Sequence, residues 1–392
     1  MNAGSLGATA GGLLAAVVAA EYGLRAWFGR GRYFVFAPRM RELLEPDPET
    51  HPQLERRIHF EINRDGERGA PFTPGPGQRR ILVLGGSAAE CRLLDDATSW
   101  PGELEHELNR PEHLAQLGAR HVHIGTAAKS GMDSATLGLV LSRILPNYPQ
   151  LDLIIIFSGA SDMVRWLELG APPDRPVESI GVDAAFDWHP EKRYSWRPRT
   201  MALAEAFRRI RTLRVRYRPK AARWMGRARA MRMNAQRIID VVPEPEVVLR
   251  TYSKNLETVL RLARQGAPHV LMVRQPWFEK PSFSDQELPQ FWNGGTGSSY
   301  ARDITEFYSH RVMFELMHQT DATSVAVAER LGVTHVDLNA VLPMSSDTFI
   351  DHFHFTPAGT RSVARGVLPH VLRLLGASAP RPGADGGRGS PR

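Results

Sequence analysis

A chain of 392 residues with 42% hydrophobic and 23% charged residues is globular in composition, and it suits one α/β domain of roughly 200–250 residues plus insertions. Its one cysteine, Cys91, excludes an intrachain disulfide and a multi-cysteine zinc site, and leaves the redox compartment unread. The net charge of +7 is uneven: from Glu191 to Arg237 sixteen Lys and Arg stand against Glu191 and Glu205, giving +14 there and −7 elsewhere.

Leu6 to Ala20 is an uncharged apolar run of about 15 residues, short of the roughly 20 that span a bilayer comfortably. Extending it through Tyr22, Leu24, Trp27 and Phe28 takes in Glu21 and Arg25. Residues 1–30 are expected to form a membrane anchor or signal-like segment, with a soluble helix as the other reading; no Lys or Arg precedes the run, unlike a secretory signal. Arg25, Arg30, Arg32, Arg39 and Arg41 follow it and favour a cytoplasmic body, with the periplasmic face as the alternative. Residues 31–79, rich in Pro, Gly and charge, are expected to be a lead-in with little regular structure.

From residue 80 to 376 apolar strands alternate with helices. Arg80–Leu84, His121–Ile124, Leu151–Phe157, His269–Arg274 and Thr334–Leu338 have the short apolar runs of buried strands. Helical spacing covers Trp100–Leu108, Ser134–Leu145 (Asp133 or Ser134 as N-cap), Pro245–Gln265 and most of Tyr300–Leu331. Thr356-Pro357 opens a last helix as N-cap and first-turn residues do. This alternation predicts a mostly parallel five-stranded sheet covered on both faces. Residues 377–392, built of Pro, Gly, Arg, Ser and a few others, read as a disordered tail.

In such sheets chemistry collects at the carboxyl ends of the strands. The first strand delivers Gly85-Gly86-Ser87, the second leads to Ser130-Gly131, the third to Gly159-Ala160-Ser161-Asp162, and Asp351-His352-Phe353-His354 follows the fifth. A serine at a helix start, with a histidine and a carboxylate elsewhere, is the set acyl transfer needs. The imidazole takes the hydroxyl proton and the carboxylate fixes the tautomer. The N–H groups of Ser87 and Gly131 are candidate donors to the oxyanion. The set requires no metal and no organic cofactor. His352 competes with His354 for the base, and Asp351 competes with a helix-capping role. The three-residue spacing favours Asp351 with His354, because one turn then presents both groups. Gly131 has a plain turn reading, and Asp162 reads as structural. Cys91 reads as a small core residue. Glu90 reads as a cap or a substrate contact. Trp277 and Trp292 read either as sugar-stacking surfaces or as ordinary packing, with Arg274 to Phe278 as possible pocket lining.

These blocks resemble the SGNH, or GDSL-like, hydrolase family. The resemblance rests on Ile81-Leu-Val-Leu-Gly-Gly-Ser-Ala-Ala-Glu90, on Gly131, on Asp351-x-x-His354 followed by Phe-Thr-Pro-Ala-Gly, and on Asn63-Arg-Asp-Gly-Glu-Arg-Gly69, which is similar to a lead-in of membrane-anchored members. It covers roughly residues 59–165 and 246–375. It implies a flavodoxin-like three-layer α/β/α sandwich and hydrolysis or transfer of small acyl groups, often on carbohydrates. One departure stands out: the family's third block is Gly-x-Asn-Asp, whose Asn donates to the oxyanion, and this chain has Ser161 in its place. The expected activity is a serine esterase acting on an acylated glycan or exopolysaccharide. The rivals are an O-acyltransferase on a glycan and a catalytically weak glycan-binding or assembly protein.

Residues 170–245 interrupt the alternation and are expected to be a basic insertion. Leu203, Phe207, Ile210, Leu213 and Tyr217 recur at helical spacing with arginines between them. Lys192 to Arg237 is expected to meet an anionic membrane surface or an acidic polysaccharide, rather than nucleic acid. A solvated lid helix is the competing reading.

Overall fold

The computed structural model describes residues 3–170 and 176–376, so the expected disordered tail lies outside the described residues. The described strands are β1 (Arg41–Pro46), β2 (Ile58–Glu61), β3 (Gln78–Gly85), β4 (His121–Thr126), β5 (Leu153–Ser158), β6 (Arg216–Ala221), β7 (Arg237–Ile239), β8 (His269–Arg274), β9 (Glu306–Tyr308) and β10 (Thr334–Asp337). The described helices are α1 (Ala3–Phe28), α2 (Ser87–Glu90), α3 (Trp100–Leu108), α4 (Pro111–Leu117), α5 (Ser134–Ile144) and α6 (Ala160–Glu168). They continue with α7 (Val182–Ala185), α8 (Ala202–Thr212), α9 (Arg223–Met233), α10 (Glu246–Gly266), α11 (His310–Arg330) and α12 (Pro357–Gly376).

Five strands form one all-parallel sheet in the order β10-β8-β5-β3-β4. Numbered among themselves they run 2-1-3-4-5 from the β4 edge, the flavodoxin-like winding, whose switch point lies between the central pair β3 and β5. Alternation along β3 explains the three layers. Ile81 and Val83 join Trp100 and Leu104 of α3 and Val367 of α12 in one core, while Leu82 and Leu84 join Val140 of α5 and Leu256 of α10 in the other. Asp133 caps α5 by accepting from Thr136 N at 2.9 Å, and Thr356 Oγ1 accepts from Gly359 N at 3.0 Å in the first turn of α12.

Two segments gain detail beyond their expectation, and one helix is corrected. The lead-in is ordered: β1 pairs with β2 antiparallel and with β6 parallel, and Ile58, Phe60 and Phe36 are buried. Its Pro and Gly mask short strands whose partner, β6, lies far along the chain. The helix read through Tyr217 ends at Thr212, because Arg216–Ala221 leaves it to pair with β1. Residues 306–308 are likewise strand, paired with β7, before α11 begins.

A membrane-spanning or signal-like segment is the expectation for residues 1–30; no helix among the described residues is long and apolar enough to cross a membrane. Glu21, expected near the end of that span, is buried, and its carboxylate accepts from Ala202 N and Leu203 N at 2.9 Å each. It thereby caps α8 and fixes α1 beside it.

Candidate active site

Ser87 opens α2 directly after β3, and the glycines before it allow a tight approach. A Cβ on Gly85 would stand 2.4 Å from the carbonyl oxygen of Phe157, so only glycine lets the ends of β3 and β5 lie this close. The Asp351–His354 turn sits between β10 and α12, closed by Ile350 N donating to His354 O at 2.8 Å. Across 267 residues of sequence, His354 Nε2 lies 2.7 Å from Ser87 Oγ. His354 Nδ1 lies 2.9 and 2.8 Å from the two oxygens of Asp351. With Nδ1–H donating to the carboxylate, Nε2 is left to accept from the hydroxyl. The arrangement can pass a proton from oxygen to nitrogen.

Asp351 is fully buried. Burial alone raises a carboxyl pKa, but the imidazole of His354, its hydrogen bond and the N–H of Phe353 at 2.9 Å outweigh that and hold Asp351 well below the usual carboxylate range. For His354, burial lowers proton affinity, and the charge and hydrogen bond of Asp351, helped by Glu90, raise it above the ordinary 6.5. His352 has no part in this chain. Its ring faces away, Nε2 lying 3.0 Å from His310 Nδ1 and the ring 4.2 Å from that of Phe291; burial, His310 and Arg232 depress its pKa well below the usual value.

Gly131 adopts φ +77°, a left-handed conformation that favours glycine. Ser87, Gly131, Ser161 and His354 line one cavity of about 630 Å³. Among the described residues, no partner takes the N–H of Ser87 or Gly131, or the Ser161 hydroxyl. The Gly131 loop is held by Glu90, whose buried carboxylate accepts from Ser130 N at 2.7 Å and from Ser130 Oγ. Glu90 thus braces the neighbouring turn. The Asn63–Gly69 segment has an equally definite place. Asn63 Oδ1 accepts from the N–H groups of Asp65 and Glu67, folding a turn that sends Arg68 to the carbonyls of Glu90, Cys91 and Leu94. Arg68 therefore covers the carboxyl end of the short helix that carries Ser87.

Other residues singled out in the sequence lie outside this relay. Asp162 accepts from Ser134 N at 3.1 and 3.0 Å and from Ser134 Oγ at 2.5 Å, a structural tie to α5. Cys91 is buried and its thiol is pushed up to about 11, mainly by burial. Trp277 is packed away from the cavity and donates to Glu279, and Arg274 pairs with Asp321 and Asp337; of the run Arg274 to Phe278, only Gln275 lines the cavity.

The contact that sequence reasoning missed is made by Trp292. Its Nε1–H donates to Asp351 Oδ2 at 2.6 Å, and its ring lies parallel to the imidazole of His354, with centroids 6.3 Å apart and planes 10° apart. Trp292 also lines the cavity, and Trp224 of α9 packs edge-on against it at 4.9 Å, followed by Tyr300 at 5.3 Å. The basic insertion therefore builds a wall of the site. Two of its arginines hold that wall internally: Arg229 donates to the carbonyls of Thr50, Gln290 and Ile350, and buried Arg232 to those of Asn293 and Tyr308. Burial pushes Arg232 down to about 10.

No protein-family model matches the chain, and no curated protein matches it significantly. Solved structures similar to it include an alpha/beta hydrolase from the metagenome of Lake Arreo, Spain (12% identity, 76% of this chain and 96% of that one, TM-score 0.43). A carbohydrate acetylesterase family member from Sinorhizobium meliloti shares 14% identity over 76% of this chain and 99% of that one, with a TM-score of 0.40. An acetylxylan esterase from Geobacillus stearothermophilus shares 13% identity over 78% and 96%, also with a TM-score of 0.40.

Proposed function

We propose that this chain is a serine-dependent ester hydrolase that removes small acyl groups, acetyl above all, from an acylated glycan. Ser87 is the nucleophile, His354 the base and Asp351 the carboxylate that orients it. The observation that carries this reading is the relay from buried Asp351 through His354 to Ser87, with a 2.7 Å contact at its end. Ser87 Oγ attacks the acyl carbon as its proton moves to His354 Nε2. The carbonyl electron pair moves onto oxygen, facing the N–H groups of Ser87 and Gly131 and the hydroxyl of Ser161. Collapse expels the sugar oxygen, which takes the proton from His354. Water then attacks the acyl-serine by the same route, releasing the acid and restoring Ser87. Trp292, Trp224 and Tyr300 supply an aromatic rim beside the reacting centre that suits a sugar ring.

The test is release of p-nitrophenol from p-nitrophenyl acetate and of acetate from an acetylated glycan, by the wild type and by Ser87→Ala. The reading expects turnover of both by the wild type and loss of at least about 10³-fold in the variant. Turnover that survives Ser87→Ala, or a wild type with none, refutes it.

A further inference from the structure

A second concavity, of about 770 Å³, lies between α8, β6 and the segment at Asp187–Lys192. Its lining is strongly cationic: Lys192, Arg208, Arg211, Arg214, Arg216 and Arg218 stand against Asp187 and Glu205. Both acids are already engaged. Glu205 accepts from Lys192 at 2.9 Å, from Arg208 at 2.8 Å and from Arg209 at 3.2 Å; Asp187 takes Lys129 at 2.9 Å. Arg211, Arg214 and Arg216 have no ion-pair partner among the described residues, and Arg218 meets only Glu42, at 3.4 Å. Trp188 and Tyr217 also line the groove, and Tyr217 is largely exposed. Arg218 lines both this groove and the cavity that holds Ser87.

We propose that this groove binds the carboxylate-bearing backbone of an acidic polysaccharide, whose esterified sugar thereby reaches Ser87; the proposal rests on the hydrolase reading above. Guanidinium groups match carboxylates in a fork, and aromatic faces between them accept sugar rings. A concavity that shares Arg218 with the cavity holding Ser87 suits a chain passing from one to the other better than a flat lipid surface. Three arginines without an ion-pair partner favour an anionic ligand over a neutral glycan.

The experiment separates binding from catalysis. Binding of unacetylated oligogalacturonate and of neutral xylo-oligosaccharide of equal length is measured by calorimetry on the full chain, at low and high salt. The same is done for Arg211→Gln/Arg214→Gln/Arg216→Gln, with thermal melting to check folding. Oligogalacturonate is expected to bind, to weaken several-fold with salt, and to weaken roughly tenfold in the triple variant, with no binding of the neutral chain. The ratio of acetate release from acetylated polygalacturonate to that from acetylated xylan is expected to fall in the variant; as a ratio, it is insensitive to partial loss of folded protein. Equal binding of both oligosaccharides, or salt-independent binding, overturns the proposal even if the variant misfolds. Binding to phosphatidylglycerol vesicles or to RNA without binding to oligogalacturonate overturns it in favour of those partners. Oligogalacturonate binding by a protein that releases no acetate keeps the groove and refutes the hydrolase reading.

Discussion

Asp351 spends both carboxylate oxygens: one side faces His354 and the N–H of Phe353, and the other also takes the indole N–H of Trp292. This arrangement sets a pH dependence. Asp351 raises the proton affinity of His354 above the ordinary 6.5, and only neutral imidazole can accept the Ser87 proton. Activity should therefore be lost as pH falls through the folded pKa of His354, with the acid limb of kcat/KM centred above 6.5; a limb at or below that value contradicts the assignment. Trp292→Phe keeps the ring and removes the N–H. The carboxylate becomes more basic, so the acid limb should move further up while kcat/KM falls by about tenfold, the scale of one hydrogen bond to a charged group. A loss of rate with an unmoved limb would make Trp292 a packing residue only. Ser161 faces a separate test. If its hydroxyl donates to the oxyanion, Ser161→Ala should lower kcat by up to about 10²-fold and Ser161→Asn should raise activity. Unchanged rates in both would leave Ser87 and Gly131 as the donors.

The elements that carry these residues differ in how legible they were. The strands β3, β5 and β8 announce themselves as runs of buried apolar residues, because a strand covered on both faces needs no polar side. Asp351 and His354 are three residues apart and could be read as a pair, since one turn joins them. Trp292 could not be tied to Asp351, because 59 residues separate them and no periodicity links a loop tryptophan to a turn carboxylate. Ser161 and Gly131 were legible through their place after strand ends. How the lead-in is held was not legible, because its order comes from tertiary pairing of β1 with β6 and from a buried ion pair, Glu67 with Arg80 at 3.0 Å. Composition gives no sign of either. That pair yields an element-scale prediction. Glu67 is fully buried, so Glu67→Ala strands a buried guanidinium and should cost about 3–5 kcal/mol in urea unfolding. Glu67→Gln, which keeps an acceptor, should cost less. A loss below about 1 kcal/mol for the alanine variant would show that the lead-in is not held by this pair.

At the scale of the whole molecule, a flavodoxin-like sheet positions Ser87, Asp351 and His354, and the segments outside that core enclose them. The lead-in covers the helix end behind Ser87 through Arg68. The insertion contributes Trp224 and Arg218 to the cavity wall and the cationic groove beside it. The central claim of this arrangement is that Ser87 is made nucleophilic by His354. A serine-directed fluorophosphonate tests it directly, with the modified residue located by peptide mass spectrometry. The account predicts one adduct, on Ser87, formed faster as pH rises through the His354 titration and absent or strongly slowed in His354→Ala. An adduct that leaves Ser87 unmodified, or labelling of Ser87 at an undiminished rate in His354→Ala, would contradict it.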